Sequence, residues 1–143
     1  MTEEQKNIIA ENTLFYNYIQ AVYYCFNGNS LDEALEYANA VLDSQENLSQ
    51  ALYLQGTIYY NMKNFEEAII SYKASLQVEQ NSPNVWYALA NAYDALEQYE
   101  EAYEACLQVN KLLPNTDHEF DFYGVGIHNN WLMDSLEKKL GGN

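Results

Sequence analysis

The feature that most constrains this chain is a self-similarity at a fixed interval of 34 residues. Leu31, Phe65 and Tyr99 stand at that spacing, as do Glu33, Glu67 and Glu101, and also Ala34, Ala68 and Ala102. Tyr59 and Tyr93 keep it, and so do Gly56 and Ala90. The stretches NGNSLDEALEYANAVL, NMKNFEEAIISYKASL and ALEQYEEAYEACLQVN lie in one register. A unit of this length with a turn in its middle is a pair of helices. It cannot bury its apolar face alone, so neighbouring units must stack into a solenoid.

Within the period, particular positions carry a pattern. The third unit holds Trp86, Leu89, Ala90, Tyr93, Ala102 and Pro114, with Cys106 at a position where an aromatic is usual. The second holds Leu52, Gln55, Gly56, Tyr59, Ala68 and Tyr72, and Gln80 stands in the place of the terminal Pro. The first holds Tyr18, Ala21, Val22 and Cys25, then Ala34 and Ala38. At these residues the chain resembles the tetratricopeptide repeat family, whose units ask for Trp, Leu-Gly and Tyr, then Ala, an aromatic and Pro. The resemblance implies an all-α fold, an antiparallel helix-hairpin solenoid wound as a right-handed superhelix of about seven to eight helices. It implies a protein-interaction module and not an enzyme. One domain follows, divided into an N-terminal helical extension (1–14), repeats at 15–48, 49–82 and 83–116, and a degenerate repeat or capping helix at 117–143.

Physical reasons stand behind the pattern. Small residues at Gly56 and Ala90, opposed to Ala68 and Ala102, let two antiparallel helices approach closely. Trp86, Tyr59, Tyr93 and Tyr72 are sized to fill the space between successive hairpins. Ser30 with Glu33 reads as a capping box, Asn64 with Glu67 as a near version, and Ser82–Pro83 as an N-cap and first helical position. The pairs Asp32–Glu33, Glu66–Glu67 and Glu100–Glu101 fall in first turns, where the helix dipole favours carboxylates.

That placement accounts for much of a lopsided charge: 6 Lys and no Arg against 21 Asp and Glu, a formal net charge of −15. Nucleic acids and anionic membrane surfaces both need cations, so neither is an expected partner. Cys25 and Cys106 are too few and too far apart to frame disulfides or a zinc site. His118 and His128 lie ten apart near Asp117, Glu119 and Asp121, without metal-ligand spacing. No phosphate loop or nucleophile motif is present, so no catalytic residue, cofactor or metal is expected. The acidic start MTEEQK lacks the form of a signal peptide, and no apolar run is long enough to span a bilayer. A cytoplasmic setting is the expectation.

The two ends differ. Residues Thr2 to Asn12 read as about three turns of polar helix, opened by a Thr2–Gln5 capping box. The tail keeps the register in Gly124 and Leu136, which lie 34 beyond Ala90 and Ala102. Trp131, Leu132, Leu136 and Leu140 form a helical-spaced stripe that covers the third repeat, or else a patch for homo-oligomer formation.

In the family that the chain resembles, the first helix of each unit lines the concave binding surface. Beside the core stripe on those helices stand Tyr16, Ile19, Tyr23, Phe26 and Asn27, then Gln50, Tyr53, Thr57, Tyr60 and Asn61, then Asn84, Tyr87, Asn91 and Asp94. From these, Tyr16, Ile19, Tyr23, Tyr53, Thr57, Tyr60, Tyr87, Asn91 and Asp94 are the expected peptide-binding residues. Tyrosine rings interleaved with Asn suit an extended protein or peptide segment, and the acidic balance suits one that is neutral to basic. The carboxylate clamp of one subgroup uses Lys, Arg and Asn at this face, and no cation is available here. The matching positions here are Ile19, Tyr23, Leu54, Asn84 and Ala88, so no such clamp is expected. A subunit docking through its terminal helices and a small secretion-type chaperone are the alternative readings.

Overall fold

A computed structural model describes residues 1–28, 30–113 and 124–141. The described residues form seven helices and no strands: α1 (Glu3–Asn27), α2 (Leu31–Ser44), α3 (Ser49–Asn61), α4 (Phe65–Val78), α5 (Pro83–Ala95), α6 (Tyr99–Leu112) and α7 (Val125–Lys139). Helices α1 and α2, α3 and α4, and α5 and α6 pair as hairpins, and each hairpin leans on the next through α2 against α3 and α4 against α5. The first helices also meet one another, α1 with α3, α3 with α5, and α5 with α7. This is the stacked-hairpin solenoid that the period demands.

Close approach depends on the small positions. Ala34, Ala68, Ala90 and Ala102 are all fully buried. At Gly56 an added Cβ would lie 2.5 Å from the Tyr72 ring, so the position has no room for a side chain. Tyr72 in turn is buried and its ring tilts against Tyr53 at 5.8 Å. Polar ties stitch the layers. Ser71 Oγ donates to Gln55 Oε1 (2.8 Å), and Gln55 Nε2 donates to Asn39 Oδ1 (2.9 Å), joining α4, α3 and α2.

The turns repeat as well. Lys63 and Glu97, 34 apart, both follow a first helix with positive φ (62° and 60°), and each lets the following residue bond back to Tyr59 or Tyr93. In the first hairpin Gly28 holds the left-handed conformation, with φ of 72°. Helix starts are mixed. Thr2 and Gln5 form both bonds of a capping box, and Ser30 Oγ accepts from Glu33 N. Asn64 and Ser82 stand at the N-caps of α4 and α5, but neither side chain caps its first turn. Ser82 Oγ instead donates to the Glu79 carbonyl (3.4 Å).

Both ends bring news. Residues of the proposed extension and of the first repeat helix form one continuous helix, α1, past Asn12 and Thr13. The described tail is a single helix, α7, packed on α6 and α5 as α5 packs on α4 and α3. It runs straight through 129–132, where the 34-residue register would place a turn, so Leu136 does not repeat the role of Ala102. Leu136 is fully buried against the last hairpin, with Leu132 and Met133 beside it. Trp131 leaves that stripe: five residues before Leu136 on a helix points it well away, and it is 64% exposed. Leu140, past the helix end, is exposed too. Asn129 is buried and donates to the Cys106 carbonyl (3.1 Å) and to Asn110 Oδ1 (3.0 Å), pinning α7 to α6. Pro114, Asp117, His118, Glu119 and Asp121 lie outside the described residues.

Candidate binding groove

Between the first helices opens a groove of about 500 Å³, lined by Phe26, Tyr53, Thr57, Tyr60, Tyr72, Asn84, Tyr87, Ala88, Asn91 and Val125. No lining residue carries a charge. Helix α3 supplies Tyr53, Thr57 and Tyr60 because three-and-four spacing sets them on one face, and α5 supplies Asn84, Tyr87, Ala88 and Asn91 for the same reason. Local bonds hold the set in place. Tyr72 OH donates to Thr57 Oγ1 (3.3 Å), Thr57 Oγ1 donates to the Tyr53 carbonyl (3.1 Å), and Asn91 Nδ2 donates to the Tyr87 carbonyl (3.0 Å). Tyr60 meets Phe65 edge-on at 5.2 Å.

Burial sets the electrostatics. Desolvation raises the Tyr53 and Tyr72 phenols above their ordinary range. For Tyr60 desolvation is again the first cause, followed by the nearby Asp94 carboxylate and by Tyr87. The hydroxyls therefore stay protonated at neutral pH and keep their capacity to donate. Beyond Tyr87 the aromatic run continues on α7: His128 stacks on Tyr87 (6.4 Å, 26°) and meets Trp131 at 5.2 Å.

Of the nine expected residues, the groove brings together Tyr53, Thr57, Tyr60, Tyr87 and Asn91. The other four stand apart from it. Tyr16 turns edge-on to Tyr37 of α2 (6.3 Å), Tyr23 meets Tyr24 (5.3 Å), and Ile19 is exposed. Asp94 accepts an ion-pair hydrogen bond from Lys139 Nζ (2.7 Å), so its carboxylate ties α5 to α7. That bond is the main cause of the raised Lys139 pKa. Phe26, Asn84 and Ala88, on the first helices, also line it, and Tyr72 and Val125 are the additions from other elements. Tyr72 occupies a core slot of the pattern, yet with Gly56 beneath it the ring reaches the groove floor. Nothing in the local sequence marks Val125, which reaches the groove only because α7 packs on α5.

A larger cavity, about 780 Å³, opens between α4, α5 and α6. Its floor is core packing (Leu76, Leu89, Tyr93), and Trp86 is fixed there by Nε1 donating to the Gln80 carbonyl (2.9 Å). Glu100, Glu101 and Glu104 on its rim belong to the start of α6, where the helix dipole already accounts for the first two. Lys73 lies over the Tyr93 ring at 5.7 Å. Among the described residues no cluster of His, Cys, Asp and Glu is arranged to hold a metal, and no helix is long and apolar enough to cross a membrane. Cys25 and Cys106 are free and buried.

Hairpin stack and tyrosine-lined groove together define a tetratricopeptide-type repeat scaffold. The family model described as anaphase-promoting complex, cyclosome, subunit 3 matches residues 27–109, over half of the chain, and the chain belongs to that family of tetratricopeptide repeat proteins, which are not enzymes. No curated protein matches the chain in sequence. Several solved structures share its fold. SycD, the type III secretion chaperone of Yersinia enterocolitica, in complex with a peptide of the translocator YopD, has a TM-score of 0.81 at 16% identity, over 90% of this chain and 95% of that one. A type III secretion complex from Aeromonas hydrophila has a TM-score of 0.84 at 15% identity, over 100% and 93%. The TPR2B domain of yeast Sti1, in its pHsp70 complex, has 0.78 at 13%, over 89% and 98%. At these identities the likeness is one of fold.

Proposed function

We propose that the chain is a protein-binding adaptor whose groove takes an extended, neutral-to-basic segment of its partner. The observation that carries this reading is the groove lined by tyrosines and amides, with no charged side chain on its walls. Rings offer apolar area at low entropic cost, while Thr57, Asn84 and Asn91 offer hydrogen bonds to a peptide backbone. An acidic tail would have no lysine or arginine to meet it there. The net charge of −15 steers approach in favour of cationic partners without touching them.

A second reading, a small secretion-type chaperone, uses the same groove. It draws on SycD with its YopD peptide and on PcrH, whose structure holds the chaperone-binding region of PopD. The two readings share one test. Replacing both Tyr53 and Tyr87 by Ala should abolish capture of partner in a cross-linking pull-down while the far-ultraviolet helical signal is kept. On an array of extended peptides, neutral and Lys-containing segments should be retained over Glu-rich ones. Unchanged capture by the double variant, or a preference for the Glu-rich peptides, sinks the proposal.

A further inference from the structure

No residue lines both the tyrosine groove and the larger cavity, and on α5 the two sets take opposite faces. That cavity has an equivalent one repeat earlier, between α2, α3 and α4, and the two are finished differently. In the earlier one, polar groups bridge the helices: Ser71 donates to Gln55, and Gln55 donates to Asn39. At the same places 34 residues on stand Ala105, Leu89 and Lys73, and Leu52 gives way to Trp86. Leu89 and Ala105 cannot form those bonds, so the repeat itself does not explain an apolar floor here. The cavity of about 780 Å³ that results lies within the range of ordinary ligand sites, roughly 300–1,000 Å³. Leu76, Leu89 and Ala105 are buried at its base, between the rings of Trp86 and Tyr93. The bond from Trp86 to the Gln80 carbonyl fixes one wall in advance, which lowers the ordering cost of binding.

Charge says what covers this floor. The described lining residues carry three carboxylates, Glu100, Glu101 and Glu104, against the one ammonium of Lys73. The helix dipole accounts for the first two, but Glu104 stands past the first turn of α6, where the preceding repeat has Ile70. All three are exposed at the rim. Lys73 already lies over the Tyr93 ring at 5.7 Å, so a cationic side chain and an aromatic face meet in this crevice within the chain itself. Long cationic side chains suit such a place, because their stems cover apolar surface while their heads reach the rim.

We infer that this crevice is a second docking site, taking an amphipathic partner segment that carries arginine or lysine beside aliphatic side chains. The aliphatic groups cover Leu76, Leu89 and Ala105, and the cationic heads meet Glu101 and Glu104. This does not depend on what the groove binds. A Trp131→Phe chain leaves Trp86 as its only indole, so its emission reports on the crevice. The probes are three short synthetic peptides: one with Leu and Arg at three-and-four spacing, one with Glu for Arg, and one with Ser for Leu. The Leu–Arg peptide should shift the emission with an affinity that falls as salt is added, and the other two should bind roughly tenfold more weakly or worse. Glu101→Gln with Glu104→Gln, both at exposed positions, should weaken the Leu–Arg peptide about five- to tenfold. Lys73→Gln should tighten it by up to about fivefold by removing a like charge, a gain that a merely structural role would not produce. Tyr53→Ala with Tyr87→Ala should leave it unchanged, which separates this result from the groove reading. No response of Trp86 to the Leu–Arg peptide, equal affinity for the Glu-for-Arg peptide, indifference to the double Gln variant, or weaker binding with Lys73→Gln would each overturn the inference. So would loss of binding in the Tyr53→Ala, Tyr87→Ala chain, which puts the peptide in the groove, or a shift with protein concentration alone, which seats a second copy in the crevice.

Discussion

Gly56 shows how narrow the tolerances of the stack are. A methyl group there meets the Tyr72 ring at 2.5 Å, and the ring is itself buried between α3 and α4. Gly56→Ala should destabilise by about 1–3 kcal/mol in urea denaturation, the usual range for overpacking, in spite of the better helix propensity of Ala. The opposite sign is expected at Lys63 and Glu97, which hold positive φ at equivalent turns. A left-handed non-glycine residue costs about 1 kcal/mol, only part of which glycine gives back through its freer unfolded chain. Lys63→Gly and Glu97→Gly should each raise the thermal midpoint modestly, and a fall at both would show that these turns are unstrained. The glycine in the helix was legible from its place in the repeat. The strained turns were not, since neither Lys nor Glu signals a left-handed residue.

At the scale of the element, α7 matters most. Leu136 is fully buried in the core cluster of the last two hairpins, so Leu136→Ala should cost about 2–5 kcal/mol. The Lys139–Asp94 pair is exposed on the Lys side, and Lys139→Ala should cost less than about 1 kcal/mol. Comparing the two by chemical denaturation tests whether packing or charge holds α7 in place; equal losses would contradict this ranking. The apolar stripe of α7 could be read from its spacing, but its direction could not. Trp131 and Leu136 look equivalent as letters, and only a helix continuous through 129–132 puts them on different sides. The same holds for the candidate groove. Tyr53, Thr57, Tyr60, Tyr87 and Asn91 follow from helical spacing on the first helices that the family resemblance assigns to the binding face, whereas Tyr16, Ile19 and Tyr23 of α1 are exposed outside the groove.

For the whole molecule, alkaline pH is the revealing variable. Burial pushes the Cys106 thiol from its ordinary 9.0 up to about 12, and burial likewise raises Cys25 and Tyr72. In each case the folded chain keeps a proton that the unfolded chain gives up first. The contribution of Cys106 is therefore complete below pH 9 and is lost as pH rises from 9 towards 12, and those of Cys25 and Tyr72 likewise fall as pH rises above their ordinary 9.0 and 10.0. The thermal midpoint should fall across that interval, and Cys106→Ala should flatten the fall; an unchanged slope would argue against a buried neutral thiol. Neither cysteine should react with a thiol reagent until the chain unfolds.

The amino-acid sequence by itself determined the hairpin, its period and the number of stacked units. These are local matters: turn, cap and spacing choices within 34 residues, repeated until neighbours can bury each other. What the tertiary structure alone decided lies at the ends and between helices that are distant in sequence. It decided that α1 is one projecting helix, that α7 runs through the register, that Asp94 answers to Lys139, and that Tyr72 and Val125 reach one groove. A repeat prescribes its contacts with the next repeat. The packing of α1 and α7 is not set by that prescription, and depends on which faces of the neighbouring helices remain to be covered.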